Sequence, residues 1–233
     1  MIDFHSHILP GIDDGSTSGE DTIKMIEEAK SAGFTAIIST SHYIEGYYEC
    51  DVETRKKLLD GVQNNSTINL YLGSEIYAST EMINFIANQK ASTINNSHYI
   101  LFEFPLNTKP LYAKELVYEL IANGYKPIIA HPERYSYVKE NIGFIQELVE
   151  MGALLQSNYG SIDGMYGFEA KKAVKKLLKS GLVTFMGSDV HRPNQIYPKI
   201  SKILKKIAKI IPEQELIEIT TLNAQKVLND EEI

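Results

Sequence analysis

The sequence predicts an α/β fold, a single domain over residues 1–233 in which seven parallel strands close into a barrel. Three observations predict it. Short apolar or β-branched segments alternate with helical ones along the whole chain, which is the pattern of a parallel sheet with crossover helices. No linker, low-complexity tract, internal repeat or shift of composition divides the chain, and α/β barrels of this length are commonly one domain. Histidines and carboxylates fall at or just past the C-terminal ends of six of the seven strands. Their convergence needs a closed or nearly closed barrel with the site on its top face, because an open sheet would spread those ends by about 4.8 Å per strand.

Taken in order, residues 1–4 begin the first strand, which carries His5 and His7 and breaks at Pro10-Gly11. Residues 20–33 form a helix. Ile23, Ile26, Ala29 and Ala32 share a face, Glu20 and Asp21 suit its first turn, and Gly33 suits its stop. Residues 34–40 are a β-branched apolar run, the length of a buried strand, ending in Ser41-His42. A tyrosine-bearing loop at 45–48 precedes a charged, exposed helix at 51–64. Strand three spans 68–76 and carries Glu75. A short helix at 80–89 leads to strand four, 99–104, with Glu103.

The helix at 111–123 stops at Gly124. Strand five, 127–130, ends in His131-Pro132-Glu133-Arg134. A helix at 141–151 stops at Gly152, and strand six follows at 153–158. The helix at 168–180 stops at Gly181, and strand seven, 183–186, runs into Gly187-Ser188-Asp189-Val190-His191. Helices at 199–210, 213–219 and 223–228 close the chain.

The net charge of −7 and the pI near 5.4 argue against nucleic-acid partners and general affinity for anionic membranes. No apolar run reaches the roughly 18 residues of a membrane helix, so no membrane insertion is expected. No basic and apolar leader precedes the first motif, so no signal peptide is expected. The single cysteine, Cys50, has no partner for an internal disulfide. A cytoplasmic location is the expectation.

Strand side chains repeat every second residue, so His5 and His7 leave one face roughly 6–7 Å apart at Cβ. That spacing lets two imidazoles converge on one divalent ion. Asp189 and His191 repeat it. With Asp14, His42, Glu75, Glu103 and His131 they make nine nitrogen and oxygen donors without a thiolate, a set suited to zinc, manganese or iron. Nine exceed the three or four of one tetrahedral ion and suit two or three ions sharing bridging carboxylates. The plainer alternative for Glu75 and Glu103 is a half-buried salt bridge. Spacing leaves open which of Asp13 and Asp14 ligates and which caps the turn. His98 precedes a strand and is read as structural.

Three divalent ions over four carboxylates would leave the filled site positive. Arg134, three residues past His131, and Arg192, next to His191, add cations whose forked geometry matches phosphate oxygens. Divalent ions lower the pKa of water and so provide a nucleophile near neutral pH. The chemistry points to a phosphoester hydrolase. A thiol phosphatase needs Cys-x5-Arg; Cys50 and Arg55 are spaced Cys-x4-Arg in an expected helix, so phosphatase activity would have to be metal-based. Tyr43, Tyr47 and Tyr48, just past His42, are read either as a wall for an aromatic ring or as cover for the core edge.

The chain resembles the polymerase-and-histidinol-phosphatase (PHP) superfamily, and within it the bacterial manganese-dependent tyrosine phosphatases of capsule and exopolysaccharide operons (CpsB/YwqE type). The resemblance spans nearly the whole chain. It rests on Asp3-Phe4-His5-Ser6-His7 with Asp13-Asp14-Gly15, Ser39-Thr40-Ser41-His42, Gly73-Ser74-Glu75-Ile76-Tyr77, Phe102-Glu103-Phe104, Ile129-Ala130-His131-Pro132-Glu133-Arg134 and Ser188-Asp189-Val190-His191. It implies a distorted (β/α)7 TIM-like barrel with three metals. His5, His7, Glu75 and Asp189 would hold the first ion. Glu75, Glu103 and His131 would hold the second, and Asp14, His42 and His191 the third. Related small-molecule phosphatases tend to carry histidine where this chain has Asp14 and Glu103, and oxygen donors favour Mn2+, with Fe or Zn as alternatives.

Arg134 matches the family's phosphate-binding arginine. Arg192 stands nearest to its second, substrate-binding arginine, which usually lies several residues further on. The implied activity is hydrolysis of phosphotyrosine on a bacterial tyrosine kinase that regulates capsular or exopolysaccharide synthesis. The alternative is a PHP phosphoesterase acting on small phosphomonoesters such as histidinol phosphate.

Overall fold

The computed structural model describes residues 1–233. It contains nine strand segments: β1 (Ile2–Ser6), β2 (Ala36–Ser39), β3 (His42–Tyr43), β4 (Asn69–Leu72), β5 (Glu75–Tyr77), β6 (Tyr99–Glu103), β7 (Lys126–Ala130), β8 (Leu154–Asn158) and β9 (Phe185–Gly187). β2 and β3 are halves of one strand broken at Thr40-Ser41. β4 and β5 are halves of another, broken at Gly73-Ser74, where the expected strand 68–76 was continuous. The barrel therefore has the seven strands that the sequence alternation predicts.

All pairs are parallel, in the orders β1-β2-β4 and β3-β5-β6-β7-β8-β9. The ring closes where the Asp189 N–H donates to the His5 carbonyl at 2.8 Å and the His7 N–H to the Val190 carbonyl at 3.0 Å. β4 does not pair with β6. A 3-10 turn, Ile94–Asn96, packs against both, and this is the distortion of the barrel.

The helices are α1 (Gly19–Ser31), α2 (Val52–Gln63), α3 (Met82–Ala87), α4 (Ala113–Ala122), α5 (Ser136–Glu140), α6 (Gly143–Glu150), α7 (Tyr159–Asp163), α8 (Gly167–Lys179), α9 (Ile200–Ile207), α10 (Glu213–Ile217) and α11 (Asn223–Leu228). α5 and α7, five residues each, are not among the helices expected from the sequence. α1 and α2 start on side-chain caps. Ser18 Oγ accepts from the Asp21 N–H, and Asp51 Oδ1 from the Thr54 N–H.

Strand alternation sorts the apolar residues into two layers. Ile38, Leu101, Ile128 and Ala130 join an inner cluster with Ile2 and Phe4, and Ala224 and Val227 of α11 belong to it too. Ile37, Ile100, Phe102 and Ile129, the alternate residues, join the larger layer under the helices. Phe4 stacks on Phe185 at 3.9 Å. The pairing of β1 with β2 slips between Asp3 and Ser6. The core thus fills the barrel below its top, leaving the strand ends to polar side chains.

Three tyrosines in this core make a pH prediction. Tyr135, Tyr159 and Tyr197 are fully buried, and burial pushes each phenol well above its ordinary value. Tyr135 donates to the Ala130 carbonyl and Tyr197 to Asp3, while the Tyr159 hydroxyl has no partner. The unfolded chain would ionise these groups near pH 10. Above that pH the folded state binds more protons than the unfolded one, so stability falls as pH rises. Melting temperature should be level below about pH 9.5 and drop steeply by about pH 11. Tyr159→Phe should flatten that drop, and an unchanged slope would contradict the assignment.

Candidate metal centre

The strand tops bring the nine expected donors to one place. His5 of β1 and His7, just past its end, have ring centroids 5.0 Å apart. His42 of β3 and Glu75 of β5 are register partners. Glu75 is the hub. Its Oε2 lies 3.5 Å from His5 Nε2, 3.3 Å from His7 Nε2 and 3.2 Å from His42 Nδ1, and its Oε1 lies 2.8 Å from His131 Nε2. Asp189 Oδ1 lies 3.3 Å from His5 Nε2 and 3.4 Å from His7 Nε2. Glu103 stands 3.6 Å from His42 and 3.8 Å from His131. At the rim, Asp14 Oδ1 is 3.4 Å from His191 Nε2 and 3.7 Å from His42 Nε2.

Four groups of donors are close enough to share an ion: His7, Asp14, His42 and His191; His5, His7 and Glu75; His5, His131 and Asp189; His42, Glu75 and Glu103. This grouping differs from the partition implied by resemblance. His7 also joins the rim set, and His131 also lies beside His5 and Asp189.

Backbone geometry is committed to these directions. His131 and Asp189 adopt left-handed φ values of 33° and 53°, a conformation that L side chains disfavour by about 1–2 kcal/mol. Gly187 lets β9 lie against β1. A Cβ there would meet His5 Cβ at 2.6 Å.

The residues around the donors aim them. Asp13, not Asp14, is the buried member of its pair. Its Oδ2 pairs with His7 Nδ1 at 2.9 Å and accepts the His42 N–H at 2.9 Å. Thr40 Oγ1 lies 2.6 Å from His5 Nδ1. Both contacts turn Nε2 inward, the arrangement by which outer groups orient metal-binding imidazoles. Asp14, with a half-exposed carboxylate, is the one that faces His42 and His191.

Arg55 overturns the expectation of an exposed helix at 51–64 for that residue. It is fully buried and donates to the carbonyls of Cys50, Ser41 and His42 and to Ser74 Oγ. It thereby clamps the segments that carry His42 and Glu75.

The two arginines have different surroundings. Arg134 Nη1 donates to Asp189 Oδ2 at 2.7 Å, and its guanidinium lies 4.5 Å over the Tyr166 ring. Asp189 Oδ2 also accepts from Asn158 Nδ2 at 2.7 Å and Tyr166 OH at 3.1 Å. Arg192 Nη1 instead caps the carbonyls of Asp14, Gly15 and His191, so the structure places it as a brace of the Asp14 turn. The three tyrosines also part company. Tyr43 is buried beside Phe85, Tyr48 lies parallel to the His42 ring at 5.9 Å, and Tyr47 is exposed. His98 bonds Asp230 far from the site.

The electrostatics favour a cation. Burial alone would raise Glu75, but the imidazoles of His5, His42 and His131 outweigh it and hold it well below the carboxylate range. Burial and the Glu75 charge push Glu103 well up. Burial would lower His7, yet Asp13, Asp189 and Glu75 hold it well above the histidine range. Burial keeps His42 neutral, down at about 4.

The residues also fit metal ions by their unmet bonding. His5 Nε2, His7 Nε2, His42 Nδ1 and Glu75 Oε2 are buried and have no hydrogen-bond partner, though they crowd together. Each such orphan costs about 1–3 kcal/mol. Four around one point are accounted for by a ligand that accepts lone pairs.

Asn158, Tyr166, Thr40 and Arg55 belong to this site and are missed by sequence reading. The only signal for Asn158 is its position at the end of strand six, which otherwise supplied no donor.

Comparison with known proteins follows the same lines. A family profile described as capsular polysaccharide synthesis, CpsB/CapC, matches residues 1–229. CapC of Staphylococcus aureus is 37% identical over 238 residues, covering 100% of this chain and 93% of that one. The tyrosine-protein phosphatase YwqE of Bacillus subtilis is 35% identical over 196 residues, covering 82% and 77%. Among solved structures, one from the pair YwqE of Bacillus subtilis and CpsB of Streptococcus pneumoniae, metal-dependent tyrosine phosphatases, superimposes with a TM-score of 0.93. It is 32% identical and covers 100% of this chain and 96% of that one. The histidinol phosphate phosphatase of Lactococcus lactis shares the fold at a TM-score of 0.56 and 14% identity, covering 90% of this chain and 93% of that one.

Proposed function

The chain belongs to the CpsB/CapC family of capsular polysaccharide synthesis proteins, and on that footing we propose that it is a metal-dependent phosphatase of phosphotyrosine. The observation that carries the proposal is the ring of orphaned donors around Glu75, with Arg134 beside it. His5, His7, Glu75, Asp189, Glu103, His131, Asp14, His42 and His191 would hold two or three divalent ions, manganese first, with iron or zinc as alternatives. Such ions supply Lewis acidity and lower the pKa of water.

The chain's own residues do the rest. Asp13 and Thr40, at the Nδ1 atoms of His7 and His5, turn their Nε2 atoms inward, where a bound cation would take the place of a proton. Asn158, Tyr166 and Arg134 hold Asp189 by one oxygen, leaving the other toward His5 and His7. Arg134, three-quarters buried and held over the Tyr166 ring, offers a fixed positive charge to phosphate oxygens in ground and transition states. The tyrosinate leaving group departs readily because its conjugate acid has a pKa near 10.

The physiological substrate is proposed to be a phosphotyrosine-bearing bacterial tyrosine kinase of polysaccharide export, met in the cytoplasm. No helix is long and apolar enough to cross a membrane. The test is a comparison of kcat/KM on a phosphotyrosyl peptide, the matching phosphoseryl peptide and histidinol phosphate, each with manganese added. The phosphotyrosyl peptide should exceed both by at least about tenfold, a difference of about 1.4 kcal/mol in barrier. A preference for histidinol phosphate would move the protein to the small-substrate branch.

A further inference from the structure

The overall charge of −7 conceals a strong segregation. Residues 168–211 hold eleven Lys and Arg against two acids, a net +9, and the other residues carry −16. Much of this positive charge meets at one turn. α7 ends at Asp163-Gly164, and Lys206 of α9 pairs with Asp163 at 2.6 Å. Lys202 and Lys199 lie close enough, with Lys206, to hold the Asp163 carboxyl below its ordinary value. From the other side, the Lys171 side chain of α8 packs beside Gly164. One carboxylate thus sits among four lysines, and Lys172, Lys175, Lys176 and Lys179 of the same α8 are exposed.

The same turn leads into the active site. Tyr166, two residues after Gly164, bonds the metal-site carboxylate Asp189 and carries Arg134 on its ring. Just beyond it Phe168 is 76% exposed. The basic face therefore begins at the rim of the mouth.

We infer that the face formed by α8, α9 and the turn at Asp163-Gly164 docks an acidic peptide segment of the phosphoprotein substrate. The inference rests on the phosphatase reading above. Lysines are flexible point charges, suited to gathering carboxylates or phosphates without fixed geometry. A positive face beside a mouth that takes an anionic phosphate raises the encounter rate and selects charge-complementary partners. A short acidic segment meets only the patch, whereas an extended anionic bilayer would also meet the −16 carried by the rest of the molecule.

The test uses the metal-loaded protein and three phosphotyrosyl peptides that differ only in acidic, neutral or basic flanking residues, with p-nitrophenyl phosphate as a substrate too small to reach the patch. The acidic peptide should have the highest kcat/KM, by about tenfold over the basic one at low salt, mostly through KM, and the advantage should fade as salt shortens the screening length. The double variant Lys172→Glu with Lys202→Glu, two exposed positions, should erase that advantage and leave p-nitrophenyl phosphate hydrolysis unchanged. Equal rates on the three peptides, or an equal fall on p-nitrophenyl phosphate, would overturn the inference. So would co-sedimentation with phosphatidylglycerol vesicles, lost in the double variant, together with no discrimination among peptides.

Anisotropy of a labelled, unphosphorylated acidic peptide decides the patch independently of turnover. Charge-sensitive binding supports the inference and its absence overturns it. A protein inactive on every phosphate ester but binding that peptide would contradict the phosphatase reading alone.

Discussion

A Glu75→Gln protein is expected to lose about a thousandfold in kcat/KM while keeping its fold, the scale of removing one preorganised electrostatic element from a catalytic site. Glu75 touches four imidazoles with two oxygens, more imidazoles than any other carboxylate of the cluster touches. Glutamine keeps the shape and removes the charge. It also presents an amide N–H where a lone pair or anionic oxygen stood, so bound ions would lose both a ligand and the charge that would hold them. Bound manganese per chain should fall together with activity. The melting temperature of the metal-free protein should fall, because the imidazoles that hold Glu75 ionised lose their buried partner. Turnover within about threefold of wild type would remove Glu75 from the hub.

Arg134→Ala is expected to cost about 10²–10³ in kcat/KM, divided between a higher KM and a lower kcat, because the charge serves bound phosphate and its transition state alike. Arg134→Lys should recover only part of this, since the planar fork that lies on Tyr166 and reaches Asp189 is lost. Inorganic phosphate separates two roles. If Arg134 binds phosphate, its inhibition constant rises in Arg134→Ala while the manganese content stays level. If Arg134 only braces Asp189, manganese content falls instead, although Asn158 and Tyr166 remain on Asp189 Oδ2.

What could be read from the sequence was the set of donors, because their signals are local. The two-residue spacing of His5 and His7 survives into the barrel as two Nε2 atoms within 3.5 Å of the same oxygen of Glu75. Strand ends are legible because runs such as Phe34 to Thr40 stop abruptly at polar residues. What could not be read were the residues that aim the donors. Asn158, Tyr166, Thr40 and Arg55 are of ordinary type, and only the closing of the barrel brings them to Asp189, His5 and His42. Arg55 shows the limit sharply. A helix of mixed charge looks exposed, yet this one arginine turns inward to four oxygen acceptors. Arg192 shows the converse. Adjacency to His191 suggested a substrate contact, and the fold gave its Nη1 to backbone carbonyls. Asp13 and Asp14 were inseparable by spacing and are separated by burial.

The most direct test of the account follows bound ions and reaction in one titration. The protein is stripped with a chelator, then manganese is restored stepwise, with ions per chain measured by mass spectrometry and hydrolysis of a phosphotyrosyl peptide measured on the same samples. No hydrolysis is expected in the stripped protein, with activity rising with occupancy toward two or three ions per chain. Full activity in the stripped protein, or a saturated protein that binds no ion, would contradict that expectation.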